Sequence, residues 1–189
     1  MRARSSRVRA IALCGLGGVL AGCNNTAVAP STPRVTPSLS APVGTTVFTY
    51  DPDAVVTYGL PGGHKIAFPT GAVCDPSLTS YGVTEWDKPC APLVAPVAIT
   101  ATTFTDSHGH PYIDFQPALR FVPGAEVVLY VKDRAAADDS TSTIKWCGND
   151  GSCVDESINQ PAVATKRDTK NGVVYRLIKH FSGYLISAG

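Results

Sequence analysis

No apolar run in this 189-residue chain is long enough to cross a bilayer as a helix, which takes about 20 residues. There is no G-x-S-x-G nucleophile elbow and no H-E-x-x-H zinc motif, so neither familiar route to hydrolysis of an external substrate is signalled. Glycine-rich phosphate-cradling motifs are missing, which removes the usual case for nucleotide binding. Charged residues make up only 16% of the chain, and Arg2, Arg4, Arg7 and Arg9 crowd into its first nine positions. Without that head the basic count falls from 16 to 12 against 15 acidic residues, a formal charge of −3. No basic stripe of the kind that binds nucleic acid is left. Helical signal is nearly absent as well. Only residues 135–141 have a helix-compatible composition, and Asp138-Asp139-Ser140 makes a loop the expectation there. There is no internal repeat.

What is present begins with an address. The basic head, an uncharged stretch from Ala10 to Leu20 and a small-residue site form the tripartite layout of a secretory signal peptide. Leu20, Ala21, Gly22 and Cys23 resemble, position by position, the lipobox of bacterial lipoproteins. The resemblance implies removal of residues 1–22, a diacylglyceryl thioether on Cys23 and a third acyl chain on its amine. At ~0.8 kcal/mol per buried CH₂, two or more chains anchor stably. Asn24 stands where aspartate would favour the inner membrane, which implies the outer membrane of a two-membrane cell. The alternative is an ordinary secreted chain with an incidental Cys23. Residues 23–44 form the expected tether: Pro30, Pro33, Pro37 and Pro42 lie among Ser, Thr and Ala, with Arg34 the single charge. Such a stretch cannot bury a core and reads as disordered or partly polyproline-like.

Four cysteines remain beyond Cys23. An even set in an exported chain reads as disulfides. Cys74–Cys90 and Cys147–Cys153 are the favoured pairs among three connectivities, since each closes a local, turn-rich loop. The rival is a four-thiolate zinc site, against which neither spacing is the short one zinc prefers. From residue 45 to 189 the chain reads as short strands between Gly, Pro, Asn and Asp turns, over 46–50, 54–58, 64–68, 96–104, 112–115, 118–122, 126–132, 144–147, 163–167, 172–179 and 184–187. Within 126–132, Val127, Leu129 and Val131 share one face, and Lys170-Asn171-Gly172 is a hairpin turn. The expectation is an all-β, antiparallel β-sandwich with two disulfides, preceded by a signal peptide and a disordered tether.

Three segments, in order, resemble the β-sandwich domain shared by ankyrins, netrin receptors and zonula occludens proteins: Ile66-Ala67-Phe68-Pro69-Thr70-Gly71-Ala72, the stretch Asp106 to Val122, and His180-Phe181-Ser182-Gly183-Tyr184. The Cys74–Cys90 loop departs from the animal domains, so their partners do not transfer. Some members of that family cut themselves between the Phe and Ser of the last segment. That implies Ser182 as nucleophile on the Phe181 carbonyl and His180 as base. The favoured reading is that the same residues simply build a final strand, with Phe181 in the core and His180 or Ser182 bonded to backbone. Tyr81, Trp86 and Trp146 lie in or beside the cysteine-bounded loops, where aromatics serve either as a glycan- or protein-binding platform or as packing over the disulfides. His108 and His110, or Asp150, Asp155 and Glu156, offer metal donors without the further ligands or spacing of a site, so solvated loops are the better reading. The expected function is a lipid-anchored cell-envelope protein displaying a non-enzymatic structural or interaction module. It has no cofactor and no metal, and its partner is an envelope protein or glycan. Self-cleavage and ligand binding by the loop aromatics are the alternatives.

Overall fold

The structure, a computed structural model, describes residues 34–148 and 150–187. The Leu20–Cys23 box and the tether up to residue 33 lie outside the described residues. Two antiparallel sheets pack face to face. The strands are β1 (Arg34–Val35), β2 (Gly44–Tyr50), β3 (Val56–Gly59), β4 (Lys65–Phe68), β5 (Val97–Thr105), β6 (Pro111–Gln116), β7 (Val128–Lys132), β8 (Thr143–Cys147), β9 (Cys153–Val154), β10 (Lys166–Asp168), β11 (Val173–Leu177) and β12 (Gly183–Ser187). Seven form one sheet in the order β1-β9-β8-β12-β6-β5-β2, and five form the other in the order β10-β11-β7-β4-β3.

The alternation along each strand decides which sheet face is dry. Phe48, Tyr50, Ile99, Ala101, Ile113, Phe115, Ile144, Tyr184 and Ile186 line the inner face of the larger sheet. Ile66, Phe68, Leu129, Val131 and Val174 meet them from the smaller one. Val127, Leu129 and Val131 are all buried, as the period of two requires. Phe181 sits among Phe68, Phe115 and Phe121, stacked on Phe115 with ring centroids 4.5 Å apart. Aromatic pairs of this kind contribute about 0.5–1.5 kcal/mol each beyond their buried area.

Both disulfides pair as the loop lengths suggested, Cys74 with Cys90 and Cys147 with Cys153. The second joins directly opposed residues of the β8–β9 hairpin. Several expectations change, among them the strand expected over 163–167, where Pro161–Val163 is a 3-10 turn and β10 begins only at Lys166. Residues 34–43 are not free tether: β1 pairs with β9, and the backbone N–H groups of Ser40 and Val43 donate to the carbonyls of Thr105 and Thr103. Pro37 and Pro42 lack donors, which is why the pairing is intermittent. Arg134–Asp138 is a short α-helix, α1, rather than loop, because the Asp133 carboxylate caps it by accepting from Ala136 N–H at 3.0 Å and Ala135 to Ala137 are strong helix formers. Residues 118–122 make only isolated bridges, Arg120 to His180 and Phe121 to Val73, because Pro117 and Pro123 bracket them.

His64 closes the edge between β4 and β7. It is 3% exposed, and its Nδ1 accepts the Lys132 backbone N–H at 3.0 Å, so this nitrogen carries no proton. Burial lowers the imidazole from 6.5 to about 4, with Lys132 adding to the shift and Asp133 opposing it. Between those values the unfolded chain binds a proton that the folded chain refuses, so stability is full above 6.5 and falls as pH drops toward 4. The loss from this group is on the order of 3 kcal/mol. Urea unfolding across this range should show the slope, and His64→Asn, which keeps an acceptor but does not titrate, should flatten it.

Candidate functional site

The 75–90 loop is held in place from below. Arg120 is buried, and its guanidinium donates to the carbonyls of Glu85, Lys88 (2.9 Å) and Pro89 (3.3 Å), while its own carbonyl accepts from Cys74 N–H at 2.9 Å. With the Cys74–Cys90 bond, this carries Trp86 and Tyr81 over the segment His180-Phe181-Ser182. Trp86 stacks on the His180 imidazole with centroids 3.6 Å apart. Trp146, from β8, meets Trp86 edge-on at 4.7 Å. The three loop aromatics do converge, but inward. Trp86 is 7% exposed, the Trp146 indole N–H donates to Ser182 Oγ at 2.5 Å, and the Tyr81 hydroxyl donates to the Phe181 carbonyl at 2.5 Å. A platform for an external ligand would need those ring faces in solvent. The two indoles are instead turned onto His180 and the start of the last strand, while Tyr81, 37% exposed, lies edge-on to His180 with its hydroxyl held by the Phe181 carbonyl.

Beneath them lies a buried ionic group that the sequence does not announce. Arg176 has no exposed side-chain surface. Its guanidinium donates to Glu156 Oε2 at 2.7 Å, to the Ile144 carbonyl at 2.7 Å and to the Leu177 carbonyl at 3.1 Å. Asp155 caps the 3-10 turn Glu156–Ile158 by accepting from Ser157 N–H, and so directs Glu156 inward. The other carboxylate oxygen of Glu156 faces His180 Nε2 at 3.4 Å. Burial pushes the Glu156 carboxyl up, but the His180 hydrogen bond and the Arg176 charge outweigh it and hold it below its ordinary value. Burial lowers His180 against the pull of Glu156. The one clue in sequence is that Arg176 occupies an inward position of the alternating run Val174, Arg176, Ile178.

For self-cleavage these positions supply two of three requirements. Ser182 adjoins the Phe181 carbonyl, and the Tyr81 hydroxyl stands where an oxyanion would need a donor. The base is turned elsewhere: the His180 nitrogens face Glu156 and the Tyr184 hydroxyl, at 3.4 and 3.5 Å. The other candidates separate. His110 Nδ1 lies 2.9 Å from Asp133, while the exposed His108 lies beside Asp106. Asp150 accepts from Ser152, Asp155 caps its turn and Glu156 meets Arg176. Among the described residues no three His, Cys, Asp or Glu side chains gather as a metal site.

An open concavity lies on the opposite side of the molecule's chemistry, on the outer face of the five-stranded sheet. It is a groove of about 790 Å³. Tyr130 of β7 and Tyr175 of β11 are direct cross-strand partners, and their rings lie 5.5 Å apart at 25° on its floor. Lys65, Lys132 and Lys170 stand around them. None of these three has an ion-pair partner among the described residues. The groove's one acid, Asp168, accepts from the Asn171 backbone and side-chain amides. The strand alternation makes the outward placing of Tyr130 and Lys132 readable. That β4, β7 and β11 lie side by side is not.

Compared with protein-family models, with curated proteins and with solved structures, the chain matches none.

Arg176→Leu leaves Glu156 buried without its counter-charge and should cost about 3–5 kcal/mol in urea unfolding at neutral pH. Adding Glu156→Gln should recover part of that loss. No recovery would show that Arg176 acts through packing alone.

Proposed function

We propose that this chain is a lipid-anchored cell-envelope protein, held at the outer membrane where the cell has two, whose β-sandwich is a non-enzymatic interaction module. The observation that carries the reading is a division of labour. His180, Ser182 and Glu156 are buried with partners, whereas the five-stranded sheet turns unpaired lysines and a tyrosine floor to solvent. The lipobox resemblance at Leu20 to Cys23 supports the anchor. The order of the three segments between residues 66 and 184 supports kinship with the domain shared by ankyrins, netrin receptors and zonula occludens proteins. Fold analogy does not name a partner, so the partner is argued from the groove.

Two measurements test this. Cys23→Ser should move the chain from the membrane to the soluble fraction; unchanged membrane association would remove the anchor. The unlipidated chain should still be retained on isolated envelopes in a salt-sensitive way, and Lys65→Glu with Lys132→Glu should abolish the retention. Equal retention of that variant would remove the groove.

A second reading, self-cleavage between Phe181 and Ser182, is favoured by the Tyr81 hydrogen bond to the Phe181 carbonyl. With His180 directed at Glu156, the expected outcome is an uncut chain. A denaturing intact-mass spectrum should show Ser182–Gly189 still attached, and the fraction intact should be the same in Ser182→Ala. Loss of that peptide in the native sequence only would make Ser182 a nucleophile.

A further inference from the structure

We infer that the groove on the five-stranded sheet binds an anionic polysaccharide of the envelope, one whose sugars carry carboxylate or phosphate. This rests on the reading of the groove as the binding surface and adds the chemistry of what it binds. The register sets the pattern. Lys65 of β4 lies opposite Tyr130 of β7, Tyr130 opposite Tyr175 of β11, and Tyr175 opposite Lys166 of β10. Directly opposed residues share a sheet face, so a row Lys-Tyr-Tyr-Lys crosses four adjacent strands, with Lys65, Tyr130 and Tyr175 lining the groove and the exposed Lys166 standing just outside that lining. At ~4.8 Å between strands, the row spans about 14 Å. That is the reach of a short run of linked sugars rather than of one small anion. Lys132 lies in the next row, opposite Val173, and Lys170 stands on the turn at the groove's end.

Each part answers a different feature of such a ligand. A sugar ring presents a face of C–H bonds, which carry slight positive charge, and an aromatic face carries the complementary negative charge. Two tyrosines side by side offer a continuous floor for successive rings. The lysine ammonium groups are mobile point charges on long stems, suited to anionic groups spaced along a polymer rather than to one fixed, forked contact. Arg167 also borders the groove, but its guanidinium is spent on the carbonyls of Asp139, Ser140 and Ser142. This basic face sits on a chain whose charge beyond residue 22 is −3, so it is a local arrangement and not a general excess. A flat membrane surface would touch the rim and leave the tyrosine floor uncovered.

The test is calorimetric titration of the purified mature chain, lipidated and held in neutral detergent. The probes are polygalacturonate oligomers, dextran phosphate, unsubstituted dextran, inorganic polyphosphate and phosphatidylglycerol vesicles. One or both anionic glycans should bind and plain dextran should not; which one binds tells carboxylate from phosphate. Lys65→Glu and Lys132→Glu should each weaken binding about tenfold, a change of about 1.4 kcal/mol. Tyr130→Ala and Tyr175→Ala should weaken glycan binding while leaving polyphosphate unaffected. The two lysines are surface residues, so their variants keep the test open should a tyrosine variant fail to fold. Polyphosphate binding as tightly as the glycans, with no effect of the tyrosines, would overturn the glycan and leave the groove as a binding surface. So would the absence of glycan binding with envelope retention still lost in the double lysine variant. Vesicles binding through the same lysines, with no glycan bound, would make the membrane the ligand and overturn the proposal.

Discussion

A guanidinium with no exposed surface sets the terms for the rest of this sandwich. Arg176 projects from β11 of the smaller sheet, and one of its bonds goes to the Ile144 carbonyl on β8 of the larger one. It therefore stitches the layers together as well as meeting Glu156. A pair of this kind adds little net stability over well-packed apolar residues, because both charges leave water. What it supplies is register. A one-residue slip of β11 would send Arg176 outward and Tyr175 into the core, leaving Glu156 stranded. Glu156 is delivered from the 3-10 turn that directly follows β9, capped by Asp155. His180 must then present a nitrogen to it, and Trp86 can cover that imidazole only because Arg120 and a disulfide hold the 75–90 loop in place.

The molecule thus has two aromatic assemblies with opposite uses. One packs Tyr81, Trp86 and Trp146 around a histidine and closes the end of the sandwich where the chain enters β12. The other lays Tyr130 and Tyr175 on an open sheet face with cations beside them. The difference lies in what surrounds the rings. In the first, the Trp146 indole and the Tyr81 phenol donate to Ser182 Oγ and the Phe181 carbonyl, and the Trp86 indole N–H is buried without a partner among the described residues. In the second, the rings border unpaired ammonium groups and solvent.

Much of the architecture was legible because a half-buried strand leaves its signature in every second residue. The run through Val127, Leu129 and Val131 is the plainest case, and the disulfides followed from loop length. Helix α1 was not legible, since its formation depends on the Asp133 cap outweighing the Asp-Asp-Ser that follows, a local balance no pattern displays. The loop aromatics were legible as a group but not in direction, because direction is set by Arg120 and Arg176 through contacts 30 or so residues away in sequence. The groove failed for the same reason in another form. Each strand shows its outward residues, while the neighbours that turn Lys65, Tyr130 and Tyr175 into one row come from strands distant in the chain.

The strapping of residues 34–43 onto the larger sheet has a mechanical meaning. Any load arriving through the chain before Arg34 meets the two-residue β1 first, then the separate bonds at Ser40 and Val43, and only then the seven-residue β2. The weakest attachments are in series ahead of the strongest. A pull would peel them one after another, each release lengthening the leash, up to about 33 Å for ten residues. The strap is a reserve of slack, released stepwise before the sandwich itself is loaded.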